Sequence, residues 1–224
     1  MKIEGKIINF LGDSITEGAG VSDIANNRYD NVICREYGLK SVNNYGIGGT
    51  RIAHQSKPSD KPRYDLCFCG RAYNTSTKAD IMVVYGGVND YIHGDAPIGD
   101  PSDTTPSTFW GGVNFLMTFL KERFAGKPVV FVTPARACLR GVTDEVKSAR
   151  SMKKEDAMPL LGYVEIIKAA GEAHGIPVLD MYHTLPLNPN DPDQREKYTI
   201  DGLHFNDEAH HIIAKHIAEF LLSL

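Results

Sequence analysis

Ser14 stands in Gly12-Asp13-Ser14-Ile15-Thr16-Glu17-Gly18, directly after the apolar run Ile7-Ile8-Asn9-Phe10-Leu11. A serine hydroxyl attacks a carbonyl only when a base within hydrogen-bond reach takes its proton. Among the eight histidines, His204 is the best placed, because Asp201 lies three residues before it. A short turn can bring that carboxylate onto the far ring nitrogen. The contact would fix the imidazole tautomer and stabilise the imidazolium formed on proton transfer. His204 also falls just before a helical segment whose N-terminal dipole opposes imidazolium. A neutral base at rest is therefore expected, with Asp201 offsetting the penalty in the transition state.

Attack on an ester makes an oxyanion, which needs donors held in place beforehand. The Ser14 backbone N–H can be one. A glycine N–H from Gly46-Ile47-Gly48-Gly49-Thr50 can approach closely, with Gly49 preferred and Gly46 and Gly48 as alternatives. The Asn89 amide, in Gly86-Gly87-Val88-Asn89-Asp90, can be the third. Each feature alone reads as a turn, a cap or a strand exit. Their joint placement after successive strands points to chemistry.

The elements that must position them follow from periodicity. Ile7–Leu11, Ile81–Tyr85, Val129–Val132 and Ile176–Leu179 are short, β-branched runs bounded by Gly, Pro or Asp, and Ser41–Tyr45 is a weaker strand. Helical stripes run over Phe109–Phe124, Leu160–Gly171 and Ala209–Leu221, and Arg28–Tyr37 suggests a fourth helix. Asn206 is placed to cap the last one, with Asp207 and Glu208 at the positive end of its dipole. Strands alternating with helices predict right-handed crossovers and an α/β fold. Its expected form is a three-layer α/β/α sandwich on a mostly parallel sheet of about five strands. Ligands in such sheets bind beyond the carboxyl ends of the strands. No repeat is visible, and one domain over residues 1–224 is expected. Tyr91–Ser107, Ala135–Asp156 and Pro186–Lys197 read as excursions able to serve as binding loops.

Taken together, Gly12-Asp13-Ser14, Asn44–Thr50, Gly87-Val88-Asn89-Asp90 and Asp201-x-x-His204 resemble the four signature blocks of the SGNH, or GDSL, hydrolases. They occur in that family's order and span nearly the whole chain. The resemblance implies a flavodoxin-like sandwich and an ester hydrolase with no cofactor. Ser14 is then the nucleophile, His204 the base and Asp201 its partner, with Ser14, Gly49 and Asn89 as oxyanion donors. Asp often follows the donor glycine in the family, whereas Thr50 follows Gly49 here, so Gly48 stays open. The Gly-x-Ser-x-Gly elbow of the α/β-hydrolases is absent, since Thr16 occupies its second glycine position.

Other classes fit less well. His204, His210, His211 and His216 cluster in sequence, but His210 and His216 lie on different helix faces and no H-E-x-x-H occurs, so no metal site is expected. The serine loop lacks a phosphate-binding G-x-x-x-x-G-K-[ST] pattern. A non-catalytic relative is disfavoured because every inferred catalytic residue is present. Net charge is −4 without a basic block, which argues against nucleic-acid binding. No apolar run reaches the roughly twenty residues of a membrane span. Four cysteines without paired spacing read as free thiols, and the N-terminus lacks a signal-peptide pattern; a cytoplasmic location is expected. Loop residues Tyr91, His93, Trp110, Arg136, Arg140 and Arg195 favour a polar alcohol, such as a carbohydrate, over a bare lipid tail. The expected substrate is thus a small-molecule or carbohydrate ester with a short acyl group, acetyl above all. Lysophospholipase or thioesterase activity is the alternative within the family. No oligomeric state is read from the sequence.

Overall fold

The computed structural model describes residues 1–152 and 155–224. The apolar runs form strands β1 (Ile7–Gly12), β2 (Ser41–Gly46), β3 (Ile81–Tyr85) and β4 (Val129–Val132). The pair β5 (Cys138–Leu139) and β6 (Val142–Thr143) makes a small antiparallel hairpin, and β7 (Val178–Leu179) completes the main sheet. That sheet is wholly parallel, in the order β2-β1-β3-β4-β7. β7 is shorter than the predicted Ile176–Leu179. Pro177 has no N–H to donate, and the Ile176 N–H turns back to the Gly171 carbonyl.

The predicted helices are present as α3 (Tyr29–Glu36), α6 (Phe109–Arg123), α7 (Leu160–His174) and α10 (Asp207–Ser223). Shorter ones lie between them: α1 (Ser14–Glu17), α2 (Ile24–Asn27), α4 (Phe68–Arg71), α5 (Val88–His93), α8 (Met181–Thr184) and α9 (Pro192–Tyr198). Two of these fall in predicted loops. α5 carries the chain to His93, and α9 starts at Pro192 behind the capping side chain of Asp191.

Alternation along each strand feeds two cores. Leu11, Met82, Val84 and Phe131 pack with α6 and α7 on one face. Ile8, Phe10, Val83 and Val130 pack with α3 and α10 on the other. Burying each such side chain contributes about 1.5–3 kcal/mol. The result is the expected three-layer α/β/α sandwich. No helix among the described residues is long and apolar enough to cross a membrane.

The chain leaves β1 outward to β2 and then returns past it to β3. The crevice where crossovers diverge therefore opens at the carboxyl end of β1. Register makes the strand ends flush, because Gly12 aligns with both Gly46 and Tyr85. The segments after three adjacent strands thus emerge at one level.

Candidate active site

Ser14 opens α1 at the end of β1, behind Asp13, whose side chain accepts the Ile15 N–H at 3.0 Å. His204 sits in the turn between α9 and α10. Asp201 Oδ1 accepts the backbone N–H groups of Leu203 and His204 at 3.0 and 2.8 Å, and its other oxygen takes the His204 ring at 2.8 Å. An Asp-x-x-His spacing does this because one carboxylate can cap the turn and hold the ring together. Gly202 permits the turn: its φ is +87°, and a Cβ there would lie 2.0 Å from the Cys138 carbonyl oxygen. The Gly202 carbonyl accepts the Cys138 N–H at 2.8 Å and the Asp201 carbonyl accepts that of Arg140 at 3.4 Å, which fastens the turn to the β5–β6 hairpin. His204 Nε2 then lies 3.0 Å from Ser14 Oγ, across 190 residues of sequence.

Electrostatics favour a charged imidazole more than the sequence suggests. Burial alone would lower the His204 pKa. The Asp201 hydrogen bond, the Asp201 charge and the nearby Asp13 outweigh it, so the pKa is raised from 6.5. The lowering expected from the helix dipole is outweighed by the bonded carboxylate, because the helix begins beyond the Asn206 cap. Burial would also raise Asp201, but the His204 ring and backbone N–H groups hold it at about 2. Asp13 goes the other way, with burial pushing its carboxyl up to about 6.

The glycine segment after β2 distinguishes its own members. The Gly48 N–H is committed to Glu17 Oε2 at 2.8 Å. Among the described residues, the Gly49 N–H donates to none. Gly49 has φ +79°, and a Cβ would collide with the Tyr64 ring. Arg71 braces this segment by donating to the carbonyls of Gly12 and Tyr45 and to Thr50 Oγ1, joining the ends of β1 and β2. Asp90 accepts the N–H groups of Ile52 and Ala53 at 2.8 and 3.0 Å.

Asn89 is oriented from behind. Its Nδ2 donates to the Thr50 carbonyl at 3.0 Å, which leaves its second amide hydrogen for another acceptor. Its Oδ1 is 3.1 Å from His93 Nε2. Arg51, a permanent donor, reaches His93 Nδ1 at 2.9 Å. His93 Nδ1 must then accept, Nε2 carries the hydrogen, and Asn89 Oδ1 receives it. The Arg51–His93 pair thereby fixes which end of the Asn89 amide is the donor end.

Ser14, Gly49, Asn89, Asp201 and His204 all line one cleft of about 450 Å³. A smaller apolar chamber of about 200 Å³ adjoins it, bounded by Tyr91, Ala137 and Val142 and sharing Ile92, Leu139, Arg140 and Arg150 with the cleft. Of the loop residues expected to face substrate, His93 and Arg140 line the cleft and Tyr91 lines the chamber. Trp110 instead packs on the core. Arg136 pairs with Asp144 and Glu145, and Arg195 donates to Cys138 Sγ and the Pro189 carbonyl. Lys61, Arg63, Tyr64 and Arg150 also line the cleft and were not expected there. The signal for the first three was the basic and aromatic run Lys61-Pro62-Arg63-Tyr64, and Arg150 lies in the Ala135–Asp156 excursion. The other C-terminal histidines have partners elsewhere: His210 with the Tyr29 backbone, His211 with Asn27 and His216 with Thr184.

A family model described as GDSL-like lipase/acylhydrolase matches residues 10–212. The chain belongs to the GDSL-like lipase/acylhydrolase family. It is a carboxylic ester hydrolase of α/β/α architecture. A solved protein from Lactobacillus plantarum is 26% identical with a TM-score of 0.81, covering 99% of this chain and 98% of that one. A possible lipase from Chitinophaga pinensis is 20% identical at TM-score 0.69, with 97% and 98% covered. An acetyl-xylooligosaccharide esterase from Geobacillus, solved as a mutant, is 17% identical at TM-score 0.61, with 99% and 96% covered. Among curated protein sequences, none matches this chain.

Proposed function

We propose that this hydrolase is a serine esterase that works through an acyl-enzyme and removes short acyl groups, acetyl above all, from a carbohydrate or other polar alcohol. The observation that carries the reading is the unbroken chain from Ser14 Oγ through His204 to Asp201, facing the same cleft as Gly49 and Asn89. Ser14 attacks the ester carbonyl while His204 Nε2 takes its proton. The oxyanion accepts hydrogen bonds from the Ser14 and Gly49 backbone N–H groups and the Asn89 amide. His204 then protonates the leaving alcohol, and a water activated by the same imidazole clears the acyl group. Polar side chains around the cleft suit a hydroxylated alcohol. The same fold hosts an acetyl-xylooligosaccharide esterase.

The adjoining apolar chamber favours a second reading, in which a longer acyl chain is accommodated as in a lysophospholipase or thioesterase. An acyl-chain series of p-nitrophenyl esters, run with wild type and Ser14→Ala, separates the two. Activity steepest on acetate and absent in the variant supports the short-acyl reading. A rate that climbs out to octanoate replaces it with the second. Hydrolysis that survives in Ser14→Ala removes the serine mechanism altogether.

A further inference from the structure

The cleft is electropositive although the protein is acidic. The chain has 24 Lys and Arg against 28 Asp and Glu. The cleft lining nevertheless carries Lys61, Arg63, Arg140 and Arg150, and its carboxylate, Asp201, is engaged by His204. Arg63 is neutralised by Glu17 at 2.6 Å. Arg140 and Arg150 are not: among the described residues, neither guanidinium has a hydrogen bond or ion pair to the protein. Both also border the apolar chamber. A low-dielectric wall beside an unpaired cation strengthens its attraction for an incoming anion.

The backbone at Arg140 supplies an independent observation. Arg140 and Gly141 form the two-residue turn of the β5–β6 hairpin, with φ values of +55° and +80°. Such a turn requires positive φ at both positions and favours Asn, Asp or Gly. Arg140 is the only non-glycine residue with positive φ among the described residues. Local rules argue against arginine here, and conformations of this kind gather at ligand-contacting sites.

We propose that the cleft selects esters bearing an acidic group, such as a carboxylate, away from the scissile bond, and that Arg140 and Arg150 receive it. The guanidinium fork matches a carboxylate's two oxygens. This inference rests on the esterase reading above and narrows its substrate class to anionic esters.

Matched pairs of esters test it. 4-Acetoxybenzoate against 4-acetoxybenzamide puts the charge on the alcohol side; p-nitrophenyl hemiglutarate against p-nitrophenyl valerate puts it on the acyl side. In one arm the anionic member should have the higher kcat/KM by about tenfold, the order expected of two partly solvated charge contacts. That ratio should shrink in high salt, fall toward one in Arg140→Ala/Arg150→Ala, and be partly recovered in Arg140→Lys/Arg150→Lys. Arg140→Gly guards against misfolding, because glycine suits the turn while removing the charge; it should lower the ratio and leave the melting temperature unchanged or higher. A ratio at or below one in both arms overturns the proposal, as does a preference that persists in the double alanine variant. Failure to hydrolyse any of the four esters overturns the esterase reading beneath it, whereas equal hydrolysis within both pairs overturns only the anion preference.

Discussion

The cleft has two sides that are built differently. On the sheet side, Ser14, Gly49 and Asn89 stand directly beyond strand ends, and their neighbours are tied by Arg71, Asp90 and the Arg51–His93 pair. On the outer side, Arg140 and Arg150 lie on an excursion, and their guanidinium groups have no hydrogen-bond or ion-pair partner among the described residues. That excursion is anchored at its base by the buried Asp144, which accepts from the Ala137 N–H and the Tyr182 hydroxyl. Preorganised donors serve a charge that appears only in the transition state. Unpaired cations suit a charge that a substrate brings with it, as proposed for Arg140 and Arg150. On the proposed reading, the fold's strand ends hold the reaction and the excursion holds the choice of substrate.

Variants on the two sides should therefore fail differently. Asp201→Asn should be the most damaging, lowering kcat by about 10⁴-fold because the imidazole loses its tautomer control; steady-state kinetics with near-normal KM would be the signature. Asn89→Ala should cost about 10²–10³ in kcat with little change in KM. A rise in KM alone would move Asn89 to the recognition side and break the distinction. His93→Ala should lower kcat about tenfold by freeing the Asn89 amide to turn, with His93→Gln recovering part of the loss as a replacement donor. If both His93 variants left kcat intact, the bracing from behind would be irrelevant to turnover.

The smallest effect concerns pH. In the proposed mechanism His204 acts as a neutral base, and its pKa is raised, so kcat/KM should fall with acid through a limb above 6.5. Asp13→Asn removes one of the charges that raises it and should move that limb down. The buried Asp13 itself has a folded pKa of about 6 against 3.8. Its stabilising contribution is thus present below 3.8 and lost as pH rises through 6. Melting temperatures at several pH values should show that slope in wild type and a flatter one in Asp13→Asn.

Strong periodicity made the frame legible. β1, β3 and β4 are β-branched runs, and α6, α7 and α10 carry unbroken apolar stripes. The contact of Ser14 with His204 and Asp201 was legible for another reason: Asp-x-x-His encodes a local turn, and the serine follows a strand. What escaped is set by structure without periodicity. A six-residue helix such as α5 has too few turns to announce itself, so the i, i+4 relation of Asn89 to His93 was hidden. The reading of Gly49 rather than Gly48 as a donor rests on Glu17 reaching back from α1 to the Gly48 N–H, a long-range contact that no local pattern contains. Lys61 and Arg63 came from a segment held by Asp65 contacts to Ser59 and Arg51, again across tertiary space.

The amide links from Cys138 and Arg140 to the carbonyls of Gly202 and Asp201 have an engineering consequence. Grafting a foreign hairpin at residues 138–143 to retune preference would disturb the seat of the imidazole unless the graft reproduced both links. Evolution of new substrates in this scaffold should then proceed more readily by side-chain exchange on the existing hairpin than by insertion into it.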